Sequence, residues 1–323
     1  MLENINNGES RKQFWKILFK LAVFCLIMLA NQKFLFRIFY FPAQLWYAYY
    51  GEQASYDTVY FINWLVSDIS SYLVPALAAF FLFRSERLSI PRQESFRAGI
   101  ETPLVFFATC FLGSLASMLA QWISAVLDSL FGTGEIPDAM AGSLPSEGQS
   151  GSAWIFFLFV VVLAPVCEEL IFRKLLLQPL RGGGDMFAAV ASALIFGAYH
   201  GNFDQFPYAF VVGLLYGILA VRSSSVLPTL ILHFVNNLLV SVGNYLTDMV
   251  GEDAAWAVQA QGWAASLMGL AFWLGIPSVV LMVLAKMFRS PREEEMSAGE
   301  KARELFRNPA VYVTAAAVVL MLL

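Results

Sequence analysis

The chain has 323 residues, of which 59% are apolar, 15% aromatic and only 14% charged. Soluble globular proteins are far less apolar, and repeated apolar stretches of about 18 or more residues predict a protein that crosses a membrane several times. The net charge of −4 gives no reason to expect a nucleic-acid partner. Three isolated cysteines without CxxC spacing exclude a zinc knuckle and a disulfide framework.

The hydropathy pattern predicts an all-α fold, a polytopic transmembrane helical bundle of about 8–9 spans. The fifth and sixth predicted spans are short for a full crossing, so we expect them to tilt little, to extend into the neighbouring loop or to lie partly buried inside the bundle. The predicted spans cover residues 14–36, 58–83, 103–131, 152–180, 186–201, 207–221, 226–246, 262–288 and 309–323.

Lysine and arginine segregate to alternate loops, which predicts the orientation in the membrane. The N-terminal tail and the loop 84–97 are basic, whereas the loop 132–151 carries three acidic residues and no basic one. The pattern predicts a multi-pass protein of a bacterial-type plasma membrane with a cytoplasmic N-terminus. We divide the chain into an N-terminal three-span region (1–145), a helical core expected to carry the chemistry (150–246) and C-terminal spans with a charged cytoplasmic linker (247–323).

A charged cluster interrupts the fourth predicted span. Glu168, Glu169 and Arg173 follow an apolar run and precede three leucines. Ionisable side chains at membrane depth cost a few kcal/mol or more and usually mark function. In a helix, Glu169 and Arg173 are i,i+4 neighbours that can pair, while Glu168 points about 100° away and needs another partner.

Both histidines of the chain lie in the central region, His200 at the end of the fifth predicted span and His233 in the seventh. At i,i+4 spacing, Phe196 shares a face with His200, and Asn237 shares a face with His233. The helical rise places these side chains and Glu168 at compatible depths in the middle or inner half of the membrane.

A carboxylate and two imidazoles can support hydrolysis in two ways. Glu168, His200 and His233 would hold a divalent metal such as zinc that activates water. Alternatively, Glu168 and His200 would activate the water directly while His233 and Asn237 stabilise the oxyanion. The non-hydrolytic alternatives are satisfied core residues and a proton relay in a transporter.

Three motifs in order carry a family resemblance: Glu-Glu-x-x-x-Arg from Glu168, Phe-x-x-x-His at 196–200, and His-x-x-x-Asn at 233–237. They resemble the CAAX protease and bacteriocin-processing family, also called Abi proteins, which includes the type II CAAX prenyl endopeptidase. The resemblance covers about 100 residues.

The resemblance implies an intramembrane endopeptidase in which Glu168 and His200 activate water. It implies that His233 and Asn237 form the oxyanion hole, with Glu169, Arg173 and Phe196 in supporting roles. Members of the family are commonly named metalloproteases, although a metal-free mechanism is also proposed for them. We expect a membrane-associated peptide or protein as substrate, with the bilayer as surroundings and the oligomeric state open. The alternative is a non-catalytic membrane immunity or scaffold protein, or a proton-coupled transporter.

Other membrane-protease signatures fit the sequence poorly. A GxGD occurs at 182–185, but its aspartate and Asp57 are predicted at opposite ends of their spans, about 30 Å apart, too far for a catalytic dyad. A GxSG at 148–151 lies in a polar loop, and HExxH is absent. A GxxxG at 213–217 predicts close helix packing within the protein.

Overall fold

The computed structural model describes residues 2–51, 53–86, 95–131, 150–251, 253–290 and 296–322. Helix makes up 91% of the structure, and the described residues contain no strand. An all-helical chain satisfies its backbone hydrogen bonds within each segment, as a membrane interior requires. The expected all-α fold is confirmed.

Thirteen α-helices are present in the described ranges, and several continue into π-helical turns. The π-helical segments are Asn31–Leu35, Phe157–Leu163 and Glu169–Leu177. The α-helices are α1 Leu2–Ala30, α2 Phe36–Tyr50, α3 Tyr56–Phe83, α4 Ser95–Phe131, α5 Ser150–Phe156, α6 Ala164–Glu168, α7 Gln178–Leu180, α8 Asp185–Tyr199, α9 Phe206–Ser223, α10 Leu227–Val250, α11 Ala255–Leu284, α12 Ala298–Arg307 and α13 Pro309–Leu322.

Seven continuous helical stretches in the described part of the chain are long and apolar enough to span a membrane, or eight if one bent pair counts as a span. The protein is therefore a multi-pass membrane protein. The seven stretches are Gly8–Tyr50, Tyr56–Glu86, Gly99–Phe131, Ala153–Gly183, Phe206–Ser223, Leu227–Thr247 and Ala255–Leu284.

Two predicted spans take a different form. The fifth, predicted at 186–201, is the 15-residue helix α8, which at about 1.5 Å per residue is shorter than the hydrocarbon core of about 30 Å. The last, predicted at 309–323, is the 14-residue helix α13, which meets α12 at a bend of 78°. The span count thus lies at the low end of the expectation.

Several predicted features lie outside the described residues. They are the acidic loop at 132–149, residues 87–94 of the basic loop 84–97, and the acidic run within 291–295. The first two residues of the GxSG at 148–151 fall in the first of these segments.

The central helices are packed most closely. Helix α9 lies against α8 at Gly213 and Gly217, where a Cβ would come within 2.9 Å of Phe196 and 3.3 Å of Ala189. The GxxxG thus serves packing inside the protein, as expected, and its small residues let the two backbones approach. This contact fixes the position of Phe196, which faces the ionisable residues of the neighbouring helices.

The main hydrophobic core combines residues of the N-terminal helices, the central helices and α13. Its buried members include Phe24 and Phe83 from the N-terminal helices, Phe172 and Phe196 from the centre, and Met321 from α13. The charged residues Glu169 and Arg173 are buried beside this core, with exposed fractions of 1% and 0%.

Candidate functional site

Glu168 is the last residue of α6, a five-residue α-helical segment between two π-helical segments of the same span. Its side chain is buried. The hydroxyl of Tyr72, on α3, donates to Glu168 Oε1 at 3.0 Å. The other oxygen, Oε2, lies 3.6 Å from Nε2 of His233 on α10. The sequence indicated no partner for Glu168. The structure gives it two, one on α3 and one on α10.

Glu169 begins the following π-helical segment and is paired with Arg173. Arg173 Nε lies 3.4 Å from Glu169 Oε2, but neither atom has a well-aligned hydrogen bond to the described residues. We regard the pair as a charge contact rather than a forked hydrogen bond, since the separation is long for one. The guanidinium also lies 5.1 Å from the Phe196 ring centroid, a cation–π contact.

His233 lies between the two glutamates. Its Nδ1 is 3.1 Å from Glu169 Oε1, while Nε2 faces Glu168. An ionised carboxylate can only accept hydrogen bonds, so beside Arg173 the Glu169 carboxylate accepts a hydrogen bond that Nδ1–H of His233 donates. In an ordinary α-helix two consecutive residues point about 100° apart, but the wider π-helical turn reduces that angle. The π register thus allows both carboxylates to reach one ring.

His200 caps the C-terminus of α8, where Gly201 with φ of +71° turns the chain away from the helix. Its Nδ1 lies 2.9 Å from the carbonyl oxygen of Phe196. A carbonyl can only accept, so Nδ1 carries a proton and Nε2 of the neutral ring keeps its lone pair. His200 therefore presents a base at Nε2.

The Phe196 ring connects the two histidines. Its centroid lies 5.1 Å from that of His200 and 6.0 Å from that of His233, both in edge-on geometry. The expected i,i+4 relation between Phe196 and His200 is therefore present, and Phe196 separates the imidazoles by one aromatic ring.

Asn237 hydrogen-bonds to the span that carries Glu168. Its Nδ2 donates to the carbonyl oxygen of Val160 at 2.9 Å. In the π register the Ala164 N–H goes to Phe159, and Pro165 has no N–H to give, so neither supplies a bond to Val160. Asn237 satisfies this carbonyl with one of its two amide N–H groups.

The predicted site residues form one group linked by ion contacts, with three neighbours: Phe196, His200 and Asn237. Glu168, Glu169, Arg173 and His233 are linked by ion contacts. Among the described residues, the polar side-chain contact of His200 is with its own helix rather than with Glu168. A water molecule joining Glu168 to His200 would have to bridge the remaining gap.

The predicted metal site requires Glu168, His200 and His233 as ligands. In the described part of the chain, no group of three or more His, Cys, Asp or Glu side chains is arranged to hold a metal ion. Glu168 and His233 lie 3.6 Å apart, whereas the polar contact of His200 in the described residues is with its own helix. The residues as placed do not fit a metal, and no step below passes through one. Metal-dependent and metal-free hydrolysis, the two alternatives from the sequence, both stay hypotheses, and the metal-removal experiment decides between them.

Three site neighbours were not identified from the sequence. Tyr72 contacts Glu168 directly. Asn236 accepts a hydrogen bond from Tyr208 at 2.9 Å. Asp68 lies one turn before Tyr72, interacts electrostatically with Glu168, and has a buried Oδ2 without a hydrogen-bond partner in the described residues. Asp68 carried a usable signal, because it is an acidic residue inside a predicted span.

Comparison with known proteins gives two matches, of which the family match includes the region of the site. Residues 150–239 match the family described as Type II CAAX prenyl endopeptidase Rce1-like. The membrane-embedded CAAX protease MroQ of Staphylococcus aureus (strain USA300) is 29% identical over 90 residues, which are 26% of this chain and 36% of that protein. The alignment thus spans about a third of the relative.

No solved structure matches the chain. The segment 150–239 contains every site residue predicted from the motifs, from Glu168 to Asn237. Through this segment, the chain is similar to the type II CAAX prenyl endopeptidase family and to a membrane-embedded CAAX protease.

Proposed function

We propose that the protein is an intramembrane endopeptidase that hydrolyses a peptide bond of a membrane-associated peptide or protein. The observation that carries the proposal is the position of Glu168, a buried carboxylate in a membrane span. One of its oxygens accepts a hydrogen bond from Tyr72 and the other lies near His233. Such a fixed carboxylate at membrane depth is suited to accept a proton from water.

In the proposed reaction, Glu168, assisted by Nε2 of His200, takes a proton from a water molecule. The water oxygen forms a bond to the scissile carbonyl carbon, and the carbonyl oxygen becomes an oxyanion. When the intermediate collapses, the carbon–nitrogen bond breaks and Glu168 returns the proton to the leaving amine. The products are a carboxyl and an amino terminus, with the enzyme unchanged.

The oxyanion requires hydrogen-bond donors. Asn237 has one amide N–H left after its bond to Val160. His233, when protonated, gives Nδ1–H to Glu169 and has Nε2–H on the side of Glu168. Arg173 and Phe196 support the proposed site by holding Glu169 and the two imidazole rings.

We further propose a cytoplasmic N-terminus in a bacterial-type plasma membrane. The basic residues Arg11, Lys12, Lys16 and Lys20 precede the first apolar run, which favours the cytoplasmic side. With this orientation the short helix α8 begins near the cytoplasmic side. Labelling of single cysteines placed at residue 9 and in the 132–149 loop, in intact cells, tests the orientation: only the loop cysteine reacts with an impermeant reagent.

The activity is tested with purified protein in vesicles and a library of fluorogenic peptides anchored to the bilayer by a fatty acyl chain. We expect cleavage by the wild type and none by Glu168→Gln or His200→Ala, while Glu9→Gln, an exposed Glu→Gln control, cleaves normally. Cleavage that survives in both site variants contradicts the proposal. If no library peptide is cut, the non-catalytic or transport alternatives gain support.

A further inference from the structure

Tyr72 supplies a contact to Glu168 from outside the family segment. It lies on α3, 78 residues before the start of the matched region at residue 150, and its hydroxyl donates to Glu168 Oε1 at 3.0 Å. The ring is partly buried and packs against Tyr199 on α8, with 6.0 Å between the ring centroids. Tyr72 therefore packs against α8 and donates a hydrogen bond to α6.

The two oxygens of Glu168 have separate partners. Oε1 accepts from Tyr72 and Oε2 faces Nε2 of His233. Two contacts from different helices fix both the position of a carboxylate and the rotation of its plane, whereas one contact would leave it free to swing. The remaining lone pairs of the Glu168 carboxylate then keep a fixed direction.

The polar face of α3 is directed towards this site. Asp68 shares the face with Tyr72 at i,i+4 spacing and interacts electrostatically with Glu168. Most other side chains of this span are apolar, as lipid contact requires. Two polar side chains of this span, Asp68 and Tyr72, thus interact with Glu168.

We propose that Tyr72 is a positioning residue that orients the Glu168 carboxylate for proton transfer, so that the catalytic site is complete only with the second membrane span. The inference rests on the proposed function. Tyr72 acts through Glu168 and does not touch the reacting atoms. The simpler role is an interhelical hydrogen bond that stabilises the fold alone, and the experiment must separate the two.

The variant Tyr72→Phe removes the hydroxyl and keeps the ring. The matched control is Tyr40→Phe, because Tyr40 likewise donates from its hydroxyl to a partner across a helix pair that includes α3, here Asn63 at 2.9 Å. Rates are measured on the best-cleaved acyl-anchored peptide of the library, in vesicles, over a range of peptide concentrations.

We expect kcat of Tyr72→Phe to fall about 10- to 100-fold, the effect of one lost hydrogen bond to a charged group, with KM within about twofold of wild type. Tyr40→Phe should keep wild-type kcat and KM. A kcat for Tyr72→Phe equal to that of the control overturns the inference, as does a loss confined to KM.

A thermal-unfolding cycle with Glu168→Ala tests the contact without any activity. Tyr72→Phe should lower the unfolding temperature of the wild type and leave that of Glu168→Ala unchanged, because the acceptor is already gone. Equal shifts in both backgrounds overturn the contact. If the wild type cuts no peptide, the proposed function fails and the positioning role fails with it, whereas normal cleavage by Tyr72→Phe defeats only the positioning role.

Discussion

Nδ1 of His233 lies 3.1 Å from Oε1 of Glu169, and both side chains are almost fully buried. The opposite nitrogen of the same ring faces Glu168. His233 therefore separates two carboxylates that would otherwise repel each other in a medium of low dielectric constant. The His233 ring therefore stabilises the arrangement of the two carboxylates, in addition to its proposed role as a hydrogen-bond donor to the oxyanion.

The two histidines should differ in their effect on stability. His233→Ala leaves two buried carboxylates without their shared partner and is expected to cost about 3–5 kcal/mol. His200→Ala removes a contact to its own helix and should cost about 1 kcal/mol. Thermal unfolding of both variants in the same detergent measures the difference, and equal losses would contradict the asymmetry.

Arg173 should contribute strongly to the stability of the fold only while Glu169 is charged. Arg173→Met removes the charge beside a fully buried carboxylate and should cost about 3–5 kcal/mol. In the double variant with Glu169→Gln the unpaired charge is gone, so a large part of the stability should return. Unfolding temperatures of the single and double variants test this, and an additive loss would show that the two side chains do not interact.

Asn237 should be partly replaceable by a backbone N–H. Asn237→Leu leaves the Val160 carbonyl without its hydrogen bond and should cost about 1–3 kcal/mol. Pro165→Ala returns an N–H to this stretch of the helix, so the same Asn237 substitution should cost less in that background. A cost that is unchanged by Pro165→Ala would disprove the link between the missing N–H and Asn237.

Activity should survive removal of metal ions, because in the described residues Glu168, His200 and His233 do not form a group arranged to hold one ion. Peptide cleavage is measured after extended treatment with a chelator and again after zinc is added back. A loss that zinc restores would show that His200 or His233 turns towards a metal in the working enzyme.

The arrangement of the spans was largely predictable from the sequence. Long apolar runs and loop charges require only local chemistry, and the ion pair of Glu169 with Arg173 follows from helical spacing. The short helix α8 was anticipated as too short to cross, although it was counted as a span. The motifs also identified the helices that meet at the site.

The tertiary details were not predictable. The π-helical turns on both sides of Glu168 have no sequence signature apart from Pro165, yet they decide that Glu168 and Glu169 reach one ring. Nothing in the sequence distinguishes Tyr72 from the other tyrosines of the predicted spans, because its contact with Glu168 depends on how α3 packs against α6. Asp68 was detectable as a buried acid, but its neighbour Glu168 is 100 residues away in the sequence.

The central claim, that Glu168 and His200 activate a water molecule that cuts a peptide bond, is tested most directly by product labelling. An acyl-anchored peptide that the protein cleaves is incubated with reconstituted protein in heavy-oxygen water, and the new C-terminus is weighed by mass spectrometry. We predict one heavy oxygen in the new carboxyl group with the wild type, and no product with Glu168→Gln or His200→Ala. Labelled product from Glu168→Gln at the wild-type rate would contradict the account.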